Sequence, residues 1–251
     1  MIELGVLLLF YSLLFTIGMI KKNHGIVDIG WGLGFVLLAW TSLLSHPYLS
    51  IENMVLTLLI TLWGGRLAYH IWERHRGKPE DFRYQNMRKK WGKHPVIGAV
   101  FQVYLLQMFL MIIIAIPFLY ANNMRSLQVT WLYMVGFLIW IIGFYFESSS
   151  DAALRRFKQN PQNKGKIMTG GLYRYSRHPN YFGEAMMWWG IFFMTLQEPW
   201  AIIGIISPVT ITYLLRFVSG VPLLEAHYEN NKLYQAYAEK TSIFIPKKPR
   251  S

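Results

Sequence analysis

The chain contains no cysteine. That absence excludes a disulfide framework, thiolate metal ligands and a cysteine nucleophile, and it leaves the redox compartment unreadable. Charge is scarce as well. Asp, Glu, Lys and Arg make up 15% of the 251 residues, where a soluble domain carries about a quarter. Acids are the scarcer sign, with 13 against 25 basic residues and a net charge of +12. There is no His-x-x-x-His pair, and no metal site is expected. Neither a phosphate-cradling loop nor a Ser-His-Asp arrangement stands out. Internal repeats and low-complexity tracts are also missing.

What is abundant is apolar sequence, 53% of the chain. It falls into seven runs, at 2–20, 27–45, 52–72, 96–120, 130–147, 182–198 and 200–219. Each is near the ~20 residues that span a hydrocarbon core. The expectation is an all-α, polytopic transmembrane bundle of about seven spans, forming a single integral membrane domain over 1–251. The last two runs are joined by Gln197-Glu198-Pro199, short enough for a tight helical hairpin. The first run has Glu3 in place of a basic leader, no small-residue cleavage site, and Lys21 and Lys22 behind it. It reads as a retained span, not a removed signal peptide.

The basic residues gather between the runs and alternate. Lys21 and Lys22 follow the first, and the link 73–95 holds Arg74, Arg76, Lys78, Arg83, Arg88, Lys89, Lys90 and Lys93. The segment 148–181 holds Arg155, Arg156, Lys158, Lys164, Lys166, Arg174 and Arg177, and the tail is basic again. The links 46–51 and 197–199 carry no Lys or Arg, and 121–129 only Arg125. Seven spans put every basic link on one side, with the N-terminus outside and the C-terminus cytoplasmic. Basicity placed this way faces an anionic leaflet and argues against nucleic acid as a partner. The tail from Pro222 to Lys240 reads as an interfacial amphipathic helix.

Chemistry concentrates in three places. The densest is Gly170-Gly171-Leu172-Tyr173-Arg174-Tyr175-Ser176-Arg177-His178-Pro179-Asn180-Tyr181-Phe182-Gly183-Glu184. Pro179 suits the first turn of a helix. Arg177 and His178 then sit at its N-terminus, where free N–H groups and the dipole favour an anion and Arg adds a fork matched to phosphate. The plainer reading is an interfacial anchor of Arg and Tyr. Glu184, a turn inside the span, favours the ligand site, because a carboxylate in membrane needs a partner or a task.

The second place is the exit of the fifth run, where Glu147, Asp151 and Arg155 are spaced by four on one helical face. They form either a salt-bridged surface or the polar wall of a cofactor pocket, and Glu147, still at the end of an apolar run, favours the wall. The third is the stripe Arg66, Tyr69, His70 and Glu73, three or four apart. Arg66 either snorkels to the interface or faces a polar interior. Asp28 opens the second run in Asp28-Ile29-Gly30-Trp31-Gly32-Leu33-Gly34, where it serves as a cap, while Gly30 and Gly34 suit close helix packing. Glu225, behind Gly220-Val221-Pro222, is a first-turn acid or a ligand contact.

Taken with Leu62-Trp63-Gly64-x-Arg66-Leu67, Glu80-Asp81-x-Arg83-Tyr84, Gly220-Val221-Pro222-Leu223-Leu224-Glu225, Tyr237 and Phe244-Ile245-Pro246, these motifs resemble the steroid 5-alpha-reductase-like membrane proteins. The closest resemblance is to their poorly characterised bacterial branch, whose home is the cell (inner) membrane, and it covers nearly the whole chain. The resemblance implies a seven-helix reductase that takes NADPH from the cytoplasmic side. Its substrate would be a lipid-like enone, or similarly activated alkene, reached from the bilayer. By matching motif, Asp151, Arg155, Tyr173, Arg177, His178, Asn180, Tyr181 and Glu184 become cofactor-pocket candidates, joined by Glu147, Glu225 and Tyr237. The part 130–251 would hold the cofactor, and 1–95 would shape the substrate side.

Steroid reductases of that family use a Gln-Glu pair on an early helix with a Tyr on the next, and no such dipeptide occurs in the early runs here. Tyr69, with Asp28 or His70, is the expected substitute. Two other readings stay open. Isoprenylcysteine carboxyl methyltransferases and phospholipid methyltransferases share the Arg-His-Pro-x-Tyr element and bind S-adenosylmethionine. The third reading is a lipid-binding scaffold without catalysis. The oligomeric state is not legible.

Overall fold

The computed structural model describes residues 2–45, 49–123 and 127–250, so the expectations for 46–48 and for Arg125 lie outside the described residues. Every regular element among the described residues is helical. The chain divides into two compact units, Met1–Val129 and Thr130–Ser251.

The first unit holds α1 (Ile2–Lys21), α2 (Ile26–Ser45), α3 (Ile51–His75), α4 (Phe82–Trp91), α5 (Pro95–Ala99) and α6 (Leu106–Asn123). A π-helical segment, Val100–Leu105, joins the last two into one long apolar stretch. α2 is the hub, packing on α1, α3 and α6. Its three glycines explain how. A Cβ at Gly30 would strike Leu14 of α1, one at Gly32 the carbonyl of Gly64 on α3, and one at Gly34 Met111 of α6. In lipid there is no hydrophobic drive between helices, so close backbone approach supplies the packing energy. The expected Gly30/Gly34 face is thus real, and Gly32 adds a second face against α3. Polar pairs support the same unit. Trp40 donates to Thr61 at 3.0 Å, and Asn53 donates to Asn122 at 2.9 Å and to the Ala121 carbonyl at 3.2 Å.

The second unit holds α7 (Trp131–Gln159), α8 (Pro179–Thr195), α9 (Ile206–Tyr213), α10 (Val221–His227) and α11 (Lys232–Lys240). α7 and α8 run antiparallel, with their backbones in contact at two levels. Gly136 lies against the carbonyl of Gly190, and Gly143 against that of Gly183. Seven residues separate the glycines on each helix, which keeps them on one seam.

Six helical stretches among the described residues are long and apolar enough to cross a membrane: Ile2–Lys21, Ile26–Ser45, Ile51–His75, Pro95–Asn122, Trp131–Gln159 and Pro199–His227. The chain is a multi-pass membrane protein. α8 is the seventh apolar helix, matching the run at 182–198. Its 17 residues rise only about 25 Å, short of the ~30 Å hydrocarbon core. The tail departs from expectation: it is two helices, not one. Tyr228 to Asn231 form a turn, and the Asn231 side chain caps α11 by accepting from the Leu233 and Tyr234 N–H groups.

Candidate functional site

The start of α8 is built as its sequence dictates. Pro179 takes the first helical position, with His178 before it as the N-cap residue. The loop leading in is pinned by the C-terminal tail. The Arg177 N–H donates to the Ser242 carbonyl at 2.8 Å, and the Ser176 hydroxyl to the Phe244 carbonyl at 2.7 Å. The Tyr237 hydroxyl donates to the Tyr173 carbonyl at 2.5 Å. These bonds order a polar loop whose regular structure is two short 3-10 turns, Pro161–Asn163 and Gly171–Arg174.

Glu225, at the middle of α10, gathers three donors. Arg177 Nη1 reaches Oε2 at 2.7 Å, while His178 Nε2 and the Tyr234 hydroxyl reach Oε1 at 2.7 and 2.6 Å. An ionised carboxylate only accepts, so the His178 proton sits on Nε2 when it makes this bond. His178 also stacks on Tyr181, with ring centroids 5.8 Å apart, and Tyr234 stacks on Tyr228 at 4.8 Å. The arginine, the imidazole and the phenol are thereby fixed in place from behind. Burial pushes the Tyr234 hydroxyl well above its usual range, and its hydrogen bond to Glu225 adds to that. It stays a donor at any physiological pH.

In front of these donors lies a cavity of about 450 Å³, within the range of small-molecule sites. Arg177, His178, Asn180 and Tyr173 line one part, Tyr228, Tyr234 and Tyr237 another; the last turn of α7 brings Lys158, and the loop after it Lys164 and Lys166. Four cations and no carboxylate line it. Two donors in its wall, the Tyr173 hydroxyl and Arg177 Nε, are buried with no hydrogen-bond partner among the described residues. Burial raises the Tyr173 hydroxyl far out of its titration range, and the charge of Asp151 adds to this. A cavity with excess positive charge, aromatic walls and unsatisfied donors suits an anionic, ring-bearing ligand. The residues present therefore fit a phosphate-bearing nucleotide cofactor.

The sequence candidates distribute as follows. Tyr173, Arg177, His178, Asn180 and Tyr237 line the cavity. Asp151 is buried just behind, accepting from Asn180 Nδ2 at 3.1 Å. Glu225 backs the donors, and Tyr181 holds the His178 ring. Glu147 and Glu184 are buried in α7 and α8, near the level where Gly183 meets the Glu147 backbone, and do not line the cavity. Arg155 is exposed on α7. Tyr228, Tyr234 and the three lysines were not among the candidates. The spacing of Tyr234 and Tyr237, three apart on one face of α11, is a signal that points to Tyr234 but not to Tyr228 or the lysines.

The candidates in the first unit sit in a different setting. Asp28 accepts from Arg83 Nη2 at 2.7 Å and from the buried Tyr84 hydroxyl at 2.6 Å. Asp81 caps α4 by accepting the Arg83 N–H at 2.9 Å, and takes Arg83 Nε at 3.0 Å. Burial pushes its carboxyl up, but the Arg83 bonds outweigh this and hold it below the usual carboxylate range. Glu80 accepts the His24 N–H at 2.7 Å and Arg88 Nη2 at 2.8 Å. The Glu80-Asp81-x-Arg83-Tyr84 motif thus clamps α4 to the turn between α1 and α2. Tyr69 is 59% exposed beside Trp72, and His70 is half-buried.

A family model described as a protein of unknown function, DUF1295, matches residues 14–241. The chain is 27% identical to 3-oxo-5-alpha-steroid 4-dehydrogenase 1 of Rattus norvegicus over 45% of this chain and 41% of that protein. It is 38% identical to steroid 5-alpha-reductase DET2 of Arabidopsis thaliana over 30% of this chain and 28% of that protein. A shorter stretch, 18% of this chain and 16% of the relative, is 48% identical to the probable O-methyltransferase ustE of Ustilaginoidea virens. The chain spans less than half the length of each of these relatives. No solved structure matches.

Proposed function

From the premise that the chain belongs to the DUF1295 family and is similar to steroid 5-alpha-reductases, we propose that it is a membrane-embedded, NADPH-dependent reductase of a conjugated C=C bond in a lipid-like substrate. The observation that carries the reading is the cation-lined, aromatic cavity in front of the Glu225 cluster. The proposed cytoplasmic placement of the loop 160–178 follows the charge alternation of the links, with the N-terminus outside.

When bound, NADPH would supply the hydride. The chain's own residues do the rest. Arg177 and the lysines at 158, 164 and 166 neutralise phosphate charge, and the Arg fork gives it direction. Tyr173 and Asn180 offer hydrogen-bond donors, while Tyr228 and Tyr234 supply flat surfaces for a base. Glu225 keeps Arg177 and His178 oriented, a positioning role. Negative charge that develops on the substrate carbonyl oxygen calls for a nearby donor. Tyr69 and His70 are the proposed donors. Asp28 is the third candidate, though both its oxygens are already engaged by Arg83 and Tyr84.

One observation favours a second reading, methyl transfer from S-adenosylmethionine: the short match to the probable O-methyltransferase. The deciding experiment supplies the purified protein with a 4-en-3-one amphiphile and NADPH, and in parallel with labelled S-adenosylmethionine and a lipid extract. Loss of nicotinamide absorbance dependent on the enone supports reduction. Label entering lipid without any NADPH oxidation establishes methyl transfer instead. Neither signal, with neither cofactor bound, points to a lipid-binding scaffold.

A further inference from the structure

A second cavity, of about 240 Å³, lies wholly in the first unit, where α1 ends at Lys21, α2 begins at Ile26 and α3 ends at His75. These are the ends of three apolar spans, so the cavity opens at a membrane–water boundary. Its walls are of two kinds. Ile26, Ile29 and Trp72 form an apolar side, and Lys21, His75, Arg76 and Lys78 form a basic one. The carboxylate in the lining, Asp81, is taken up by Arg83. Its charge is therefore matched before it can neutralise the lysines and Arg76. Gly77, at φ +72, turns the chain so that Arg76 and Lys78 flank the opening, and the Arg76 guanidinium rests over the Trp72 ring, 5.1 Å from its centroid.

We propose that this cavity binds the phosphate ester of an amphiphile, with its alkyl chains along Ile26, Ile29 and Trp72. A phosphate needs a fork and point charges, which Arg76, Lys21 and Lys78 supply. Juxtamembrane cations gain affinity for anionic headgroups additively. The apolar wall is what a free phosphate would have no use for. The ligand belongs to the bilayer, not to the nucleotide cavity, and none of the residues that line the second unit's site is involved.

The test uses the full-length protein in detergent and three probes: dioctanoyl phosphatidylglycerol, dioctanoylglycerol and inorganic phosphate. Binding is read from the shift in melting temperature with probe concentration. The expected order is strong stabilisation by the phosphatidyl lipid and little by the other two. The R76A/K78A variant, altered at two exposed residues, should bind the lipid about tenfold more weakly or worse. W72A should weaken the lipid but leave the response to inorganic phosphate unchanged. Equal lipid affinity in wild type and R76A/K78A would overturn the site. Dioctanoylglycerol binding as tightly as the phosphatidyl lipid would overturn the phosphate, and inorganic phosphate doing so would overturn the amphiphile.

Discussion

Asp28 and Glu225 are held by the same kinds of group: Arg83 and Tyr84 on the first, Arg177 and Tyr234 on the second. Their surroundings differ. Around Asp28 the donors are consumed. Arg83 also serves Asp81, Tyr84 is buried, and neither Arg83 nor Tyr84 lines the first unit's 240 Å³ cavity. Around Glu225 the donors keep a second face. Arg177, His178 and Tyr234 all line the 450 Å³ cavity while their backs rest on the carboxylate. A carboxylate–arginine–tyrosine set does not by itself mark a functional site. What distinguishes one is whether the donors still have somewhere to point. The first cluster fastens a loop to helix ends, and the second holds donors that face a cavity.

That contrast can be broken by mutation. The largest expected effect is at Arg177. R177A should reduce NADPH affinity about a hundredfold, the loss of a charge-assisted contact, while the protein still inserts and folds. Titration calorimetry measures it, and unchanged affinity would reduce the segment to an interfacial anchor. E225Q should weaken binding about tenfold by loosening Arg177 and His178 together. D28N is the mirror experiment. It should lower stability by about 1–2 kcal/mol and leave NADPH affinity alone, read by thermal melting and titration of the same sample. If D28N lost binding as E225Q does, the two clusters would not differ as described.

Y173F has a smaller effect: a few-fold loss of ligand affinity with no loss of stability, since the hydroxyl makes no hydrogen bond among the described residues. The smallest is the pH response of Asp81, whose folded carboxyl lies below its ordinary range. A depressed carboxylate stabilises the fold above its unfolded pKa and loses that contribution as pH falls through the folded value. The difference in melting temperature between wild type and D81N should therefore persist down to about pH 4 and fade only in stronger acid.

How much of this was legible in the sequence follows from the range of the forces involved. The spans declare themselves because twenty apolar residues are a local property, and Pro179 marks the α8 start for the same reason. The glycine seams are half legible. Gly30 and Gly34 read as packing residues, but that Gly32 meets Gly64 needs the partner helix. Of the cavity's lining, Arg177 and His178 were legible as an anion-suited helix start, and Asn180, Tyr173 and Tyr237 by resemblance. Tyr228 and the lysines at 158, 164 and 166 reach it by tertiary contacts that no local spacing encodes, whereas Tyr234 shares a helix face with Tyr237. Asp28 reads as a helix cap locally, while its partner Arg83 lies 55 residues on. The helix expected over the tail failed at a local signal that was present, Asn231, whose side chain caps the start of a second helix.

The proposed reductase requires that the second unit's cavity bind a nicotinamide dinucleotide phosphate. Equilibrium titration of the purified wild-type protein with NADPH and with S-adenosylmethionine, repeated on R177A, tests it most directly. Saturable NADPH binding that R177A abolishes or severely weakens is expected, with S-adenosylmethionine bound far more weakly. Saturable binding of S-adenosylmethionine alone, or NADPH binding indifferent to Arg177, would contradict it.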